Sequence, residues 1–290
     1  MTLMTNYQKM KNILFPTDFS EAANNAFVYA LKLAEQFDAQ ITTLHVYELP
    51  KVRGTAMPNT IQEIYESINI EEFDNYRDSI PVLREIAEAN NLDQVQIQHS
   101  LKEGPTVKTI LHSAKEVEAD LIVMGTTGAG ALKAVFIGSV AGEILENANI
   151  PVLAVPQTAK YDGKIDQIAI TTEFTDEERK ALDRTLEFAA GFGAQVHLVN
   201  VDTAHTHFYT KRMEKLKADY ANEKSLTCHV LNGTELFAPL NAFLNENRVD
   251  ILAMLTHKRT FFQELFNFSH AKSMSYQSNT PILSIQAHTL

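Results

Sequence analysis

The sequence predicts an α/β protein built twice, two tandem copies of a parallel sheet with helices on both faces. Three observations predict it. Short apolar runs alternate with stretches of helical periodicity along the chain, the pattern of strands joined by right-handed crossovers. The run Leu121-Ile122-Val123-Met124 is continuous rather than alternating, as a strand buried on both faces requires. After Gln157 the whole pattern begins again.

Lys11 to Asp18, KNILFPTD, reads as the first strand, ended by Pro16. Ser20 is a plausible N-cap for the helix that follows, with Glu21 in its first turn. Ala23, Ala26, Phe27, Ala30, Leu31 and Ala34 recur at helical spacing and should face the sheet. Gln40 to Tyr47 is the second strand, and Val95 to Ser100 a third, more alternating and nearer an edge. Pro105 to Val117 reads as a helix with proline in its first turn. Leu121 to Met124 is the fourth strand, Ser139 opens another helix, and PVLAV from Pro151 is the fifth strand.

A polar hinge, TAKYDGK, separates the copies. KNILFPTDFSEAANNAF aligns with DQIAITTEFTDEERKAL at an offset of 155, which sets Asp18 on Glu173, Phe19 on Phe174 and Ser20 on Thr175. Leu44-His45-Val46 meets Val199-Asn200-Val201. Farther on, ADLIVMGTTG aligns with VDILAMLTHK at an offset of 130, and PVLAV with the PILSI that starts at Pro281. Such self-similarity is the mark of a duplicated domain. The first copy holds the extra residues, within Pro50 to Ser79: a loop-like PKVRGTAMPN, a short helix NTIQEIYESI, then a second helical run from near Glu71 through Pro81 toward Asn91. Its acidic side chains are read as a solvated face.

At 290 residues, with 45% hydrophobic and 21% charged residues, the chain can bury a substantial core in each of two soluble domains. Its net charge of −11 argues against nucleic acid and against an anionic membrane surface as partners. Residues 1–160 carry 12 basic and 20 acidic side chains, so an anion bound there has to be held locally, by backbone donors. A single cysteine, Cys228, excludes an internal disulfide and a cysteine-based zinc cluster. MTLMTNYQKMKN lacks the apolar core of a signal peptide, and no run approaches membrane-spanning length. The expectation is a cytoplasmic protein.

The candidate site lies in Leu121 to Val140, LIVMGTTGAGALKAVFIGSV. A strand, a loop bearing Gly125, Gly128 and Gly130, and a helix start at Gly138-Ser139 make an anion site. Glycine lets backbone approach phosphate oxygens, and the helix N-terminus adds N–H donors and a favourable dipole. The familiar signatures fail. A P-loop needs Gly-Lys-Ser/Thr where Gly130-Ala131-Leu132 stands, a dinucleotide fingerprint needs glycine at Lys133, and an esterase elbow on Ser139 needs glycine at Ile137 and Ala141.

What remains, glycine, two residues, glycine, nine residues, glycine-serine, resembles the motif of the ATP-binding branch of the universal stress protein family. The whole chain is similar to a tandem member of it. The resemblance implies a five-stranded parallel sheet of order 3-2-1-4-5 in each copy, with ligands beyond the carboxyl ends of strands one and four. Asp18 ends the first and Gly125 the second, so both signals flank one crevice. Carried over residue by residue, the resemblance places Pro16, Thr17 and Asp18 on the adenosine side and Val46 on the adenine. It places Met124, Gly125 and Gly128 at the ribose and phosphates, and Gly138, Ser139 and Val140 at the phosphate-binding helix start. The bland alternative for Asp18 is a carboxylate that complements a helix dipole. The implied domains are residues 1–158, nucleotide-binding, and 159–290, degenerate. In the second copy Gly125 becomes Leu255, Gly128 becomes Lys258 and Gly138 becomes Phe268, while Ser269 alone survives. One nucleotide per chain is expected, in the first copy.

Other candidates read as structural. His205-Thr206-His207 has no carboxylate cluster beside it, so no metal is expected. Cys228 sits in the apparent strand SLTCHV as a small buried side chain, and His45 in a strand end. Phe261, Phe262, Phe266 and Phe268 have no interleaved basic residues, as single-strand nucleic-acid binding would need. Three functions follow in order. The first is a regulatory protein holding ATP, with or without magnesium, and no catalytic residue. The second is a slow magnesium-dependent ATPase or nucleotidyl transferase using Asp18, and the third a nucleotide-independent scaffold. The expected partners are an adenine nucleotide, the other half of the chain as a pseudo-dimer through the last strands, and a second chain as homodimer.

Overall fold

The structure, a computed structural model, describes residues 10–50, 58–128, 137–204, 207–256 and 279–287. The first half runs β1 (Asn12–Pro16), α1 (Glu21–Phe37), β2 (Gln40–Tyr47), α2 (Pro58–Ala89), β3 (Ile97–Glu103), α3 (Thr106–Glu116), β4 (Leu121–Gly125), α4 (Ser139–Asn147) and β5 (Val152–Val155). The second runs β6 (Gln167–Thr171), α5 (Asp176–Phe192), β7 (Gln195–Asp202), α6 (His207–Asp219), β8 (Leu226–Asn232), α7 (Phe237–Glu246), β9 (Ile251–Thr256) and β10 (Ile282–Gln286).

All ten strands form one sheet, in the order β3-β2-β1-β4-β5-β10-β9-β6-β7-β8. Each half is thus a parallel 3-2-1-4-5 sheet, and the halves meet at one antiparallel seam. There Ile282 faces Ala154, Leu283 faces Leu153 and Ser284 faces Val152. Leu153 and Leu283 are duplicates of each other, so a pseudo-twofold axis passes between them and the contact is self-complementary. Each half thereby covers the other's exposed edge strand. Helices cover both faces: α1, α2 and α5 pack in one apolar layer, α3, α4 and α7 in the other.

The same axis relates α1 to α5. Phe37 meets its duplicate Phe192 edge-on at 5.4 Å and lies over Phe188 at 5.8 Å. Residue 191 is glycine because a Cβ there would stand 2.7 Å from the Phe37 ring. The hinge between the copies is pinned to this surface. Asn25 donates to the carbonyls of Pro156 and Ala159, and Tyr161 packs edge-on to Tyr29.

The duplication extends to individual hydrogen bonds. Asp120 Oδ2 accepts the N–H groups of Lys11 and Asn12, and Asp250 Oδ2 those of Asp166 and Gln167. Glu118 and Arg248, also duplicates, share a left-handed backbone with φ of 49° and 50°.

Two details differ from the sequence expectation. The extra residues of the first copy form one 32-residue helix, α2, with Pro81 inside it, rather than two helical runs. The two expected runs part before Glu71, where Ile70 and Phe73 are exposed and mark no core-facing stripe, yet the helix is continuous there; the run through Pro81 is as expected, with Tyr76, Leu83 and Ala87 buried on both sides of the proline. The third strand lies at the edge as expected, but at Ile97–Glu103 rather than Val95–Ser100, because its pairing with β2 runs on to Tyr47 and Glu103.

Candidate functional site

A cleft of about 510 Å³ opens beyond the carboxyl ends of β1, β2 and β4, where the winding of the first sheet reverses. Pro16, Thr17 and Asp18 from the end of β1 line it, as do Val46 from β2 and Met124 and Gly125 from β4. Gly128 follows in the loop, and Gly138, Ser139 and Val140 at the start of α4 complete the set. The structure thus brings all ten residues singled out from the sequence to one cavity.

The turn carrying Asp18 is built by local chemistry. Phe19 has φ of 58°, a conformation uncommon outside glycine. It is held by its N–H on Thr17 Oγ1 at 3.0 Å, and by packing on His45 at 5.4 Å and Tyr76 at 5.9 Å. His45 contributes more than apolar filling. Its Nδ1 lies 2.8 Å from the Thr17 carbonyl, so that nitrogen carries the proton and donates. In the second copy Asn200 donates to the Thr172 carbonyl at the same distance, 2.8 Å, and Phe174 repeats the left-handed turn with φ of 68°. Ser20 caps α1 as expected, accepting from Ala23 at 3.2 Å. Asp18 stands exposed at the rim and accepts the Ser20 N–H at 3.1 Å.

The glycines have separate jobs. A Cβ on Gly125 would come within 2.9 Å of the Ala22 carbonyl carbon and 3.0 Å of the Ala23 nitrogen, so this glycine lets the backbone of α1 rest on β4. A Cβ on Gly128 would lie 2.7 Å from Asp18 Oδ2, so this one makes room for the carboxylate. Gly138 precedes α4 with no side-chain cap. Gly138 to Ala141 at the start of α4 line the cleft, and a helix N-terminus without a side-chain cap among the described residues is the arrangement helix N-termini offer to anions.

Sequence reasoning missed Ala23, Leu44, Thr106, Ile110, Thr126 and Thr127, which also line the cleft. Thr106 carried a signal in following Pro105 at a helix start; its N–H and hydroxyl are both taken by Glu48 Oε1, at 2.8 and 3.2 Å. Among the described residues lining the cleft there is one carboxylate, Asp18, and no lysine or arginine. Among the described residues no group of three or more histidine, cysteine, aspartate or glutamate side chains could hold a metal. Cys228 lies half-buried in β8, and burial raises its thiol pKa. His205, Lys258, Phe261, Phe262, Phe266, Phe268 and Ser269 lie outside the described residues. No helix among the described residues is long and apolar enough to cross a membrane.

A family model described as the universal stress protein family matches residues 9–156, half of the chain. The chain belongs to the universal stress protein family. A universal stress protein of Methanocaldococcus jannaschii is 31% identical over 150 residues, 52% of this chain and 84% of that one. One from Thermus aquaticus is 32% identical over 147 residues, 50% of this chain and 98% of the relative. These relatives therefore correspond in length to half of the chain. Over its full length the fold is similar to that of a universal stress protein from Archaeoglobus fulgidus, at 20% identity, TM-score 0.71 and 97% coverage of both chains. A second universal stress protein structure, from Pseudomonas aeruginosa, gives 12% identity and TM-score 0.61.

Proposed function

We propose that this universal stress protein is a nucleotide-binding regulatory protein, with ATP or a related adenine nucleotide held in the cleft of residues 1–158. Residues 159–290 are a degenerate copy that supports the first across the antiparallel seam. The observation that carries the reading is the convergence of the uncapped N-terminus of α4, the close-approach glycines and the Asp18 carboxylate on one cavity. Backbone N–H groups of α4 and the Ser139 hydroxyl suit phosphate oxygens. A carboxylate accepts hydroxyl or amino hydrogens, as a ribose or base presents them. Pro16, Leu44, Val46 and Ile110 offer an apolar wall for the base.

The described lining supplies no cationic clamp for a developing phosphoryl charge, which fast transfer needs. Turnover is accordingly slow or absent, and magnesium, where present, enters with the nucleotide. Mass spectrometry of small molecules released from the denatured purified protein should find an adenine nucleotide, and calorimetric titration with ATP should give a stoichiometry near one. Two equivalent sites, or no binding by any adenine nucleotide, would defeat the proposal. Sustained hydrolysis on the order of 1 per second or faster would replace it with an ATPase.

A further inference from the structure

The strand-end turn that carries Asp18 occurs twice, and one of the differences in the adjoining helix bears on it. Ala23, in the first turn of α1, is matched by Glu178 in the first turn of α5. Ala23 lines the first cleft. Glu178 sends its carboxylate back to the corresponding place in the second copy. Its Oε2 accepts three hydrogen bonds, from the Thr172 hydroxyl at 3.1 Å, the Glu173 N–H at 2.8 Å and the Thr175 N–H at 2.9 Å. Thr172 and Glu173 are the duplicates of Thr17 and Asp18, both of which line the first cleft.

A helix capping box accounts for part of this. Thr175 and Glu178 exchange the two bonds of that motif, as Ser/Thr-x-x-Glu sequences do. It does not account for the Thr172 hydroxyl or the Glu173 N–H, which belong to the end of β6 and not to the helix. One anionic oxygen has gathered the polar hydrogens of that wall. In the first copy the corresponding Ser20 N–H goes instead to Asp18 Oδ1 at 3.1 Å, and Asp18 Oδ2 stands over Gly128. Residue 23 there is alanine and brings no carboxylate to compete for the Ser20 N–H.

We propose that Glu178 is a built-in occupant of the second crevice, and that Ala23 is the residue that keeps the first one open to an outside ligand. The loss of glycine at Leu255 is then one of two independent closures of the second copy. The inference deepens the nucleotide reading and rests on it for the identity of the ligand, though not for the placement of the carboxylate. Glutamate at position 23 should complete a capping box with Ser20, take the Ser20 and Asp18 N–H groups and the Thr17 hydroxyl, and push Asp18 off its present position.

The test is Ala23→Glu in the full chain, read by calorimetric titration with magnesium-ATP, thermal melting and a crystal structure. The expected result is an unchanged or raised melting temperature for Ala23→Glu, because the capping box adds to helix stability. Affinity should fall at least about a hundredfold, from hydrogen bonds lost on the Asp18 side of the cleft as its carboxylate is displaced. ATP binding by Ala23→Glu at wild-type affinity overturns the proposal. So does failure of that variant to fold, since the second copy accommodates glutamate in the same turn. If the wild-type protein binds no nucleotide, the functional reading falls, and the crystal structure of Ala23→Glu still decides the present one. Its carboxylate on the Thr17 hydroxyl upholds the inference, and its carboxylate in solvent refutes it.

Discussion

Gly128→Ala isolates the contribution of Asp18 to the cleft without touching Asp18. The added Cβ would stand 2.7 Å from Asp18 Oδ2, roughly 0.6 Å or more inside ordinary carbon–oxygen contact. The atom in the way is the tip of a side chain, so the carboxylate turns aside and the backbone stays. Turning costs the bond from the Ser20 N–H to Asp18 Oδ1. A bond to a charged group is worth about 1.5–3 kcal/mol when shielded, and Asp18 is exposed, so solvent screening brings the stability cost down to about 1 kcal/mol or less. The melting temperature then moves by only about 2–4 °C. Ligand binding suffers more, because a nucleotide filling the cleft excludes the water that screens the free protein. One or two hydrogen bonds lost at about 1.5 kcal/mol each lower ATP affinity roughly ten- to 150-fold. Calorimetric titration beside a thermal melt reads both quantities. Gly128→Lys, which copies Lys258 of the second copy, should abolish binding. If Gly128→Ala binds ATP as tightly as wild type, Asp18 is not a ligand contact and its carboxylate serves the turn alone.

Gly125→Ala should act on the fold instead: its Cβ meets the backbone of Ala22 and Ala23, which cannot turn aside, and the urea midpoint should fall by the equivalent of about 1–3 kcal/mol. An unchanged midpoint would refute the close packing of α1 on β4. His45→Asn, copying Asn200, keeps a donor for the Thr17 carbonyl and should preserve ATP affinity, whereas His45→Ala should weaken it roughly fivefold through loss of about 1 kcal/mol of support for the turn. Equal affinities for the two variants would show that His45 acts through packing only. His197 and His229 have pKa values lowered first by burial, with His229 also acting on His197 and Lys217 on His229. His197 Nδ1 lies 2.8 Å from Thr227 Oγ1 and its Nε2 2.8 Å from Gln167 Oε1. The unfolded chain then binds protons at a higher pH than the folded one, so their stability contribution is complete above about pH 6.5 and lost as pH falls below it. His229→Gln should flatten the dependence of denaturation midpoint on pH below about 6.5, and an unaltered slope would assign the acid sensitivity to other groups.

Much of this was legible in the sequence because the signals were local or repeated. The continuous run Leu121–Met124 marks a strand covered on both faces, and the offset alignments give the duplication directly. The glycine spacing and Asp18 could be placed in one crevice because strand order, once assumed, brings chain positions about a hundred residues apart together. Helix α2 reads as two runs parting before Glu71 because Ile64, Ile70 and Phe73 around that point are exposed, so its apolar residues trace no single continuous face in the sequence. The distinct jobs of the three glycines were hidden as well. Sequence shows that a side chain is missing, and only packing shows what would have met it: the α1 backbone at Gly125, a carboxylate at Gly128, open space near Thr126 at Gly138.

The duplication supplies a comparison inside one molecule, and it separates framework from cleft. Where a residue holds the sheet or the turn, the copies agree in geometry even when the side chain differs. Asp120 and Asp250 cap the same strand starts, Phe19 and Phe174 share a left-handed turn, and His45 and Asn200 donate to the same carbonyl at equal distance. At three positions of the cleft wall the copies part, Ala23 against Glu178, Gly125 against Leu255 and Asp18 against Glu173, while Thr17 and Met124 recur as Thr172 and Met254. A scaffold that needed only its fold and its seam would favour the same framework at both ends of the sheet. One wall kept open by small residues and the other taken up by its own carboxylate fit the proposed reading, in which one half receives a ligand and the other half holds the same shape without one.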